Sequence, residues 1–413
     1  MEGTPARDML DIWPALPLVI DCLNAYQTRR MDSDNVIAVL ERSDRVCRIN
    51  VQNVSSSDME IYLAAMQQPF PELTHLILLR YSGETVSVVP DSFLGGSAPR
   101  LRNLTLVHIP FPGLPKLLLS ATLVTLHLVN IPHSGYISPV MMATALSTLT
   151  SLSSFSLEFQ SPRSCPDQAS RRPPPSTRSV LPLLTYFEFR GVSEYLEDLV
   201  ARIDAPRLNS LYITLFNDIV FDTPQLIQFI SRTPTLRALK NAHITLQNRR
   251  ASLDVSSQSS GDVKVNMGIL CQGLDWQLSS LEQVCTSCLP PFSMLEDLYI
   301  YEDLYFQPDW KDDIENGLWL QLLHPFTAVK NLYLSEQFAR RIGPALQALA
   351  EGGTTEVLPA LQNIFLEGLE SPGSVQEGIG MFVAAQQVAG RPIAVSSWVN
   401  LDRDKRSTGR YYW

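Results

Sequence analysis

One apolar spacing returns along most of the chain and limits what it can fold into more than any other feature. In 98–109, APRLRNLTLVHI, the residues Leu101, Leu104 and Leu106 stand at relative positions 1, 4 and 6. Side chains alternate across a strand, so positions 4 and 6 point to one side while position 1 closes the preceding turn. The spacing recurs as Leu73/Leu76/Leu78, Leu123/Leu126/Leu128, Leu152/Phe155/Leu157, Leu184/Phe187/Phe189, Leu208/Leu211/Ile213, Leu295/Leu298/Ile300, Val329/Leu332/Leu334 and Leu361/Ile364/Leu366. Where copies are consecutive, their first positions lie 22 to 34 residues apart, room in most units for a strand, a return helix and two turns.

No single unit can bury its own leucine edge, so the units must stack. The expected fold is α/β: an open, curved leucine-rich-repeat solenoid with a parallel sheet on the concave face and helices on the convex face. A chain of 413 residues with 45% apolar content is also too long for one compact core, which agrees with an array.

The pattern divides the chain. Residues 1–68 read as an N-terminal capping segment, with a helix led by Asp34, a strand through Val46, Ile49 and Val51, and a helix starting near Ser57 or Asp58. Residues 69–398 read as the solenoid, interrupted by a disordered Pro/Ser/Arg loop at 161–179 and a Ser-rich loop at 248–262, with a strand at Val263–Ile269 belonging to a degenerate repeat hidden before Leu295. Ser193 is expected to cap the helix SEYLEDLVARIDAP. Residues 399–413 read as a charged tail.

The composition excludes several functions. A formal charge of −10 would repel an anionic backbone, so no nucleic-acid partner is expected. No uncharged apolar run approaches the ~20 residues that cross a bilayer, and the acidic start resembles no secretory signal, so no membrane partner is expected. Six scattered cysteines read as reduced thiols of a cytoplasmic or nuclear protein. Cys271, Cys285 and Cys288 lack the second ligand pair that zinc spacing requires. The phosphate-cradling, dinucleotide, nucleophile-elbow and zinc-hydrolase motifs are missing. Adjacent carboxylates such as Glu197/Asp198 and Asp312/Asp313 diverge instead of facing each other. Neither enzymatic activity nor any cofactor or metal is expected.

A binding surface is the stronger signal. With positions 1, 4 and 6 turned inward, positions 3, 5 and 7 project from the open side of the sheet. The fifth-position column reads Ile77, Thr105, His127, Ser156, Glu188, Tyr212, Tyr299, Tyr333 and Phe365, turning aromatic toward the C-terminus. Tyr186 and Tyr301 flank it, with Asp297, Asn331 and Asn363 beside it. Tyrosines among polar groups serve as interface anchors, burying large area while keeping a hydrogen-bonding tip. The expected protein-binding residues are therefore Tyr186, Glu188, Tyr212, Asp297, Tyr299, Tyr301, Asn331, Tyr333, Asn363 and Phe365, with the acidic aromatic stretch Tyr301–Trp319 as rim. Replacing Tyr299 and Tyr333 by alanine is expected to weaken partner binding by several kcal/mol if they are interface hot spots, while leaving thermal stability nearly unchanged.

The blocks WPALPLVI (13–20), AAMQQPFPELTHL (64–76), PDSFLGGSAPRLRNLTL (90–106), IPFPGLPKLLLSATLVTLHL (109–128), GVSEYLEDLVARIDAP (191–206) and HPFTAVKNLYLS (324–335) resemble the repeat region of the F-box/leucine-rich-repeat-like families of mushroom-forming fungi. In such proteins an F-box docks the adaptor of a cullin-type ubiquitin ligase and the repeats hold the substrate. Only twelve residues precede Trp13 here, without an F-box helix pattern. The resemblance thus implies a non-catalytic module like the substrate-recognition arm, with an unknown protein partner. A cullin-ligase adaptor would be engaged only if an F-box were supplied upstream. The alternative is a structural scaffold that uses the solenoid surface without any ligase.

Overall fold

Burial of the spaced leucines sets the strands side by side. In the computed structural model, residues 7, 9–10, 16–23, 33–80, 88–119, 122–164, 177–216, 223–237, 239–257, 264–271, 273–287, 294–303, 315–352, 357–368 and 377–399 are described. The chain forms two compact units, Met1–Leu208 and Asn209–Trp413, dividing inside the stretch that reads as one solenoid.

In the first unit the strands are β1 (Leu18–Leu23), β2 (Val46–Gln52), β3 (His75–Leu79), β4 (Asn103–Val107), β5 (Thr125–Ile131), β6 (Ser154–Phe159), β7 (Ser179–Val180), β8 (Tyr186–Gly191) and β9 (Ile203–Asp204). Parallel pairing runs β1-β2-β3-β4-β5-β6-β8, and β7 pairs with β9 apart from it. Register puts equivalent positions opposite one another. Ile49, Leu76, Leu104, Leu126, Phe155 and Phe187 make one row, and Val51, Leu78, Leu106, Leu128, Leu157 and Phe189 fall at the sixth position. None of these twelve is more than 2% exposed. Each such side chain contributes about 1.5–3 kcal/mol by leaving water. The phenylalanines extend this packing, with Phe155 stacked on Phe187 at 5.4 Å and Tyr195 edge-on to Phe159 at 4.8 Å.

Return segments complete the repeats. Ser33–Leu40 packs on Ser56–Ala65, and Leu114–Leu118 and Ser193–Val200 both pack on Pro139–Leu146. Ser55 and Ser138 cap their helices by accepting from the backbone N–H of Asp58 and Met141. Val192, instead of Ser193, occupies the cap position of Ser193–Val200; the Ser193 hydroxyl bonds Glu194. Equivalent left-handed residues follow β2 and β4, Asn53 (φ 57) and His108 (φ 56), and fall near the end of β5, Asn130 (φ 54), all residue types that tolerate that conformation.

The second unit contains β10 (Ser210–Phe216), β11 (Asn241–Gln247), β12 (Arg250–Ser256), β13 (Lys264–Leu270), β14 (Asp297–Glu302), β15 (Asn331–Leu334), β16 (Asn363–Glu367) and β17 (Ala394–Trp398), ordered β10-β13-β12-β11-β14-β15-β16-β17. It departs from the expected all-parallel sheet, because β12 runs antiparallel to both β11 and β13. Of the Ser-rich loop expected at 248–262, Arg250–Ser256 is therefore a strand, and 258–262 lie outside the described residues. Ala251, Leu253 and Val255 alternate with Arg250, Ser252 and Asp254, and that period of two buries the three apolar residues fully. The strand expected at Val263–Ile269 is β13, with Val265, Met267 and Ile269 buried, and a further degenerate unit is Leu239/Ala242/Ile244, entering and lining β11, all buried, with alanine where a leucine is expected. Of the loop expected at 161–179, Pro162–Ser164 forms a 3-10 turn and Ser179 lies in β7, while 165–176 lie outside the described residues, as does the tail from Asn400.

Helices Leu274–Ser287, Asn316–Leu323, Glu336–Gly352 and Glu377–Val388 pack in succession. Trp319, expected on a rim, is instead in the core, edge-on to Phe338 at 5.6 Å. The last two helices approach so closely that a Cβ on Gly378 would lie 2.5 Å from the Gly343 carbonyl oxygen, whereas one on Gly380 would meet nothing within 4 Å. Alanine exceeds glycine by roughly 1 kcal/mol in helix propensity, yet overpacking costs about 1–3 kcal/mol. Chemical denaturation should accordingly show Gly378→Ala destabilised and Gly380→Ala stabilised by about 0.5–1 kcal/mol.

Candidate protein-binding face

In the second unit the fifth positions of the parallel strands become an aromatic ladder. His243, Tyr299, Tyr333 and Phe365 lie opposite one another on β11, β14, β15 and β16. Their rings stack at 4.3, 4.1 and 4.4 Å with interplanar angles of 11, 10 and 8°. Parallel pairing in register forces this, since strands ~4.8 Å apart hold like side chains at stacking distance. Trp398 of β17 turns back across the ladder, edge-on to Tyr299 at 5.8 Å and to Tyr333 at 5.4 Å, its indole N–H donating to the Leu334 carbonyl at 3.1 Å.

The third positions make a polar row alongside. Asn331 Nδ2 donates to Asp297 Oδ1 at 2.7 Å, and Asn363 Nδ2 donates to Asn331 Oδ1 at 2.7 Å. Tyr299, Tyr333, Phe365, Asp297, Asn331 and Asn363 are all half-buried, with their outer parts reachable from solvent. Burial raises the Tyr333 pKa, the Asp297 carboxylate raises it further, and a hydrogen bond from Tyr299 pulls the other way.

Four expected residues stand apart from this group. Tyr301 is buried, edge-on to His243 at 6.2 Å, and is no part of an accessible surface. Tyr212 shares the register row but lies four strands from Tyr299, about 19 Å at ordinary strand spacing, beyond Asn266 and Asp254. Tyr186 and Glu188 belong to the first unit, where the Tyr186 hydroxyl donates to Glu188 Oε2 at 2.6 Å and Ser156 donates to the same oxygen at 2.9 Å.

Sequence reasoning missed His243 and Trp398. His243 sits between Ala242 and Ile244, where an alanine interrupts the leucine signal. Trp398 stands on a closing strand that keeps Val395 at the fourth position but has Ser397 at the sixth. The signal available for His243 was Leu239 three residues before Ala242.

On the first unit's open side His127 Nε2 shares a hydrogen bond with Ser154 Oγ at 2.9 Å. Burial lowers its pKa, opposed by Glu188. His75 and His108 are lowered by burial too, with arginines adding to the effect. Burial pushes the Cys22 and Cys271 thiols up to about 11, so these are unreactive at neutral pH. Among the described residues no group of three or more His, Cys, Asp or Glu could hold a metal ion, and no helix is long and apolar enough to cross a membrane. Cys165 and Cys288 lie outside the described residues.

No protein-family model matches the chain, and no curated protein matches it. Among solved structures it is similar to the leucine-rich repeat-containing protein LegL7 from Legionella pneumophila, at 12% identity over 95% of this chain and 96% of that one, with a TM-score of 0.28. The repeat assignment here rests on this chain's own register and burial.

Two outcomes follow. Tyr333→Ala removes two stacked neighbours and the Trp398 edge and should cost about 2–4 kcal/mol in denaturant titration, while Tyr333→Phe should stay within about 0.5 kcal/mol. The titration also decides the expectation that truncating these tyrosines leaves stability nearly unchanged, because the ladder geometry leads to the opposite outcome. For the histidines, a lowered folded-state pKa means that the unfolded chain binds protons first. Stability held above the ordinary value of about 6.5 is lost as pH falls through the lower folded values. The denaturation midpoint should therefore drop on acidification across that range, less steeply in His127→Gln.

Proposed function

We propose that the chain is a non-catalytic protein-binding repeat module, and that the open face of its second unit is the binding surface. The observation that carries this reading is the half-buried ladder of Tyr299, Tyr333 and Phe365 beside the Asp297, Asn331 and Asn363 row. Aromatic groups held in fixed rotamers offer contact area at little further entropic cost, and the amides and carboxylate supply hydrogen bonds for selectivity. The partner in this reading is an unknown protein of the cytoplasm or nucleus, and the net charge of −10 argues against an anionic nucleic acid in its place. The likeness of its sequence blocks to F-box repeat proteins supports a role comparable to a ligase's substrate-recognition arm, with the adaptor contributed through an F-box elsewhere.

A second reading, a self-assembling scaffold, draws on Trp276, which is 59% exposed on helix Leu274–Ser287. Site-specific photo-crosslinkers discriminate between the two. One at Phe365 should give adducts with a different protein, and one at Trp276 should not. Adducts of Phe365 only with a second copy of the chain, or self-adducts from Trp276 with none from Phe365, would turn the assignment to the scaffold, and heterologous adducts only from Trp276 would move the binding surface off this face. A cullin and its adaptor among the co-purified proteins would add the ligase role.

A further inference from the structure

Carboxylates surround the ladder. Asp254 lies opposite His243, Asp297 opens the polar row, Asp303 follows β14 and accepts from Gln247 at 3.0 Å, and Glu367 lies opposite Trp398. The lysines at the amino ends of the strands serve elsewhere: Lys330 bonds Glu296 at 3.1 Å, and the fields of Lys330 and Lys240 both hold the Glu296 carboxyl below its ordinary range. Arg250 stands at the β12–β13 side, its guanidinium over Gly268 and on Asn266 at 3.4 Å.

Asp297 is the informative member. It is half-buried beside two tyrosines, and its hydrogen-bond partner among the described residues is the neutral amide of Asn331. An amide orients a carboxylate without cancelling its charge. Asp297 stands two residues before Tyr299 on β14, on the same side of the sheet, and Asn331 opposite it stands two residues before Tyr333 on β15, so the charge lies alongside the ladder. A carboxylate in such a setting, on a chain of net charge −10, attracts a cation more strongly than one in open water.

We infer that the open face of the second unit docks a segment of a partner protein carrying lysine or arginine, received by Asp297 beside the Tyr299 and Tyr333 hydroxyls. The segment's apolar stem lies along the ladder and the Trp398 edge, as long cationic side chains do when their heads reach a polar site. The inference rests on the proposed binding face and names what that face selects.

Panning random phage-displayed peptides on the full chain tests it, with Asp297→Asn, which keeps the acceptor for Asn331, and Tyr333→Phe as companions checked for unchanged melting temperature. The expected result is enrichment of lysine- and arginine-containing peptides. Their affinity should fall about tenfold in Asp297→Asn and weaken as salt rises. Neutral or acidic peptides whose binding falls in Tyr333→Phe or is blocked by a crosslinker at Phe365 would overturn the cationic selection and leave the binding face standing. Peptides indifferent to all three changes, or no enrichment at all, would overturn the inference, and the Phe365 crosslinking result then decides the face separately.

Discussion

Register is the constraint on which the rest of the structure depends. Parallel strands paired without slippage set each position of one repeat against the same position of the next. Whatever residue type recurs becomes a column, and the column acquires the physics of its side chain. Leucine at the fourth and sixth positions yields two dry rows; asparagine at the third yields amide-to-amide hydrogen bonds; aromatic residues at the fifth yield stacked rings. A slip of one residue would exchange the two faces, exposing the leucines and burying Asp297, so hydrophobic burial and polar solvation both hold the register in place.

Much of this was legible in the sequence because leucine spacing is a direct record of burial. The strands carrying Leu76, Leu104, Leu126, Leu298 and Leu332 stand where the pattern puts them, with those residues inside. The pattern fails where the physics changes. Ala242 buries completely without announcing itself, and RASLDVS hides a two-residue alternation inside a composition that reads as loop. The antiparallel β12 leaves no trace in a periodicity built from parallel repeats, whereas β13 beside it was legible as an apolar run at Val263–Ile269.

The candidate face was half legible for a related reason. Position within a repeat places a side chain on one side of the sheet, which sufficed for Tyr299, Tyr333, Phe365 and the polar row. Accessibility depends on what lies above, and no spacing encodes that. Tyr301 occupies a suitable position and is nevertheless sealed, while Trp398 reaches across two strands from a position with no leucine to mark it. Long-range side-chain packing of this sort belongs to tertiary structure alone.

The last strand among the described residues breaks the apolar column. In register with Leu366, β17 offers Ser397, and next to Phe365 it offers Ser396, both exposed. Another coil arriving at that edge would find backbone groups to pair with but hydroxyls in place of an apolar ridge, so pairing there would gain little from dehydration. That edge of the described sheet therefore offers hydrogen bonds without the dry ridge that Leu334 and Leu366 supply at the sixth position of the two strands before it.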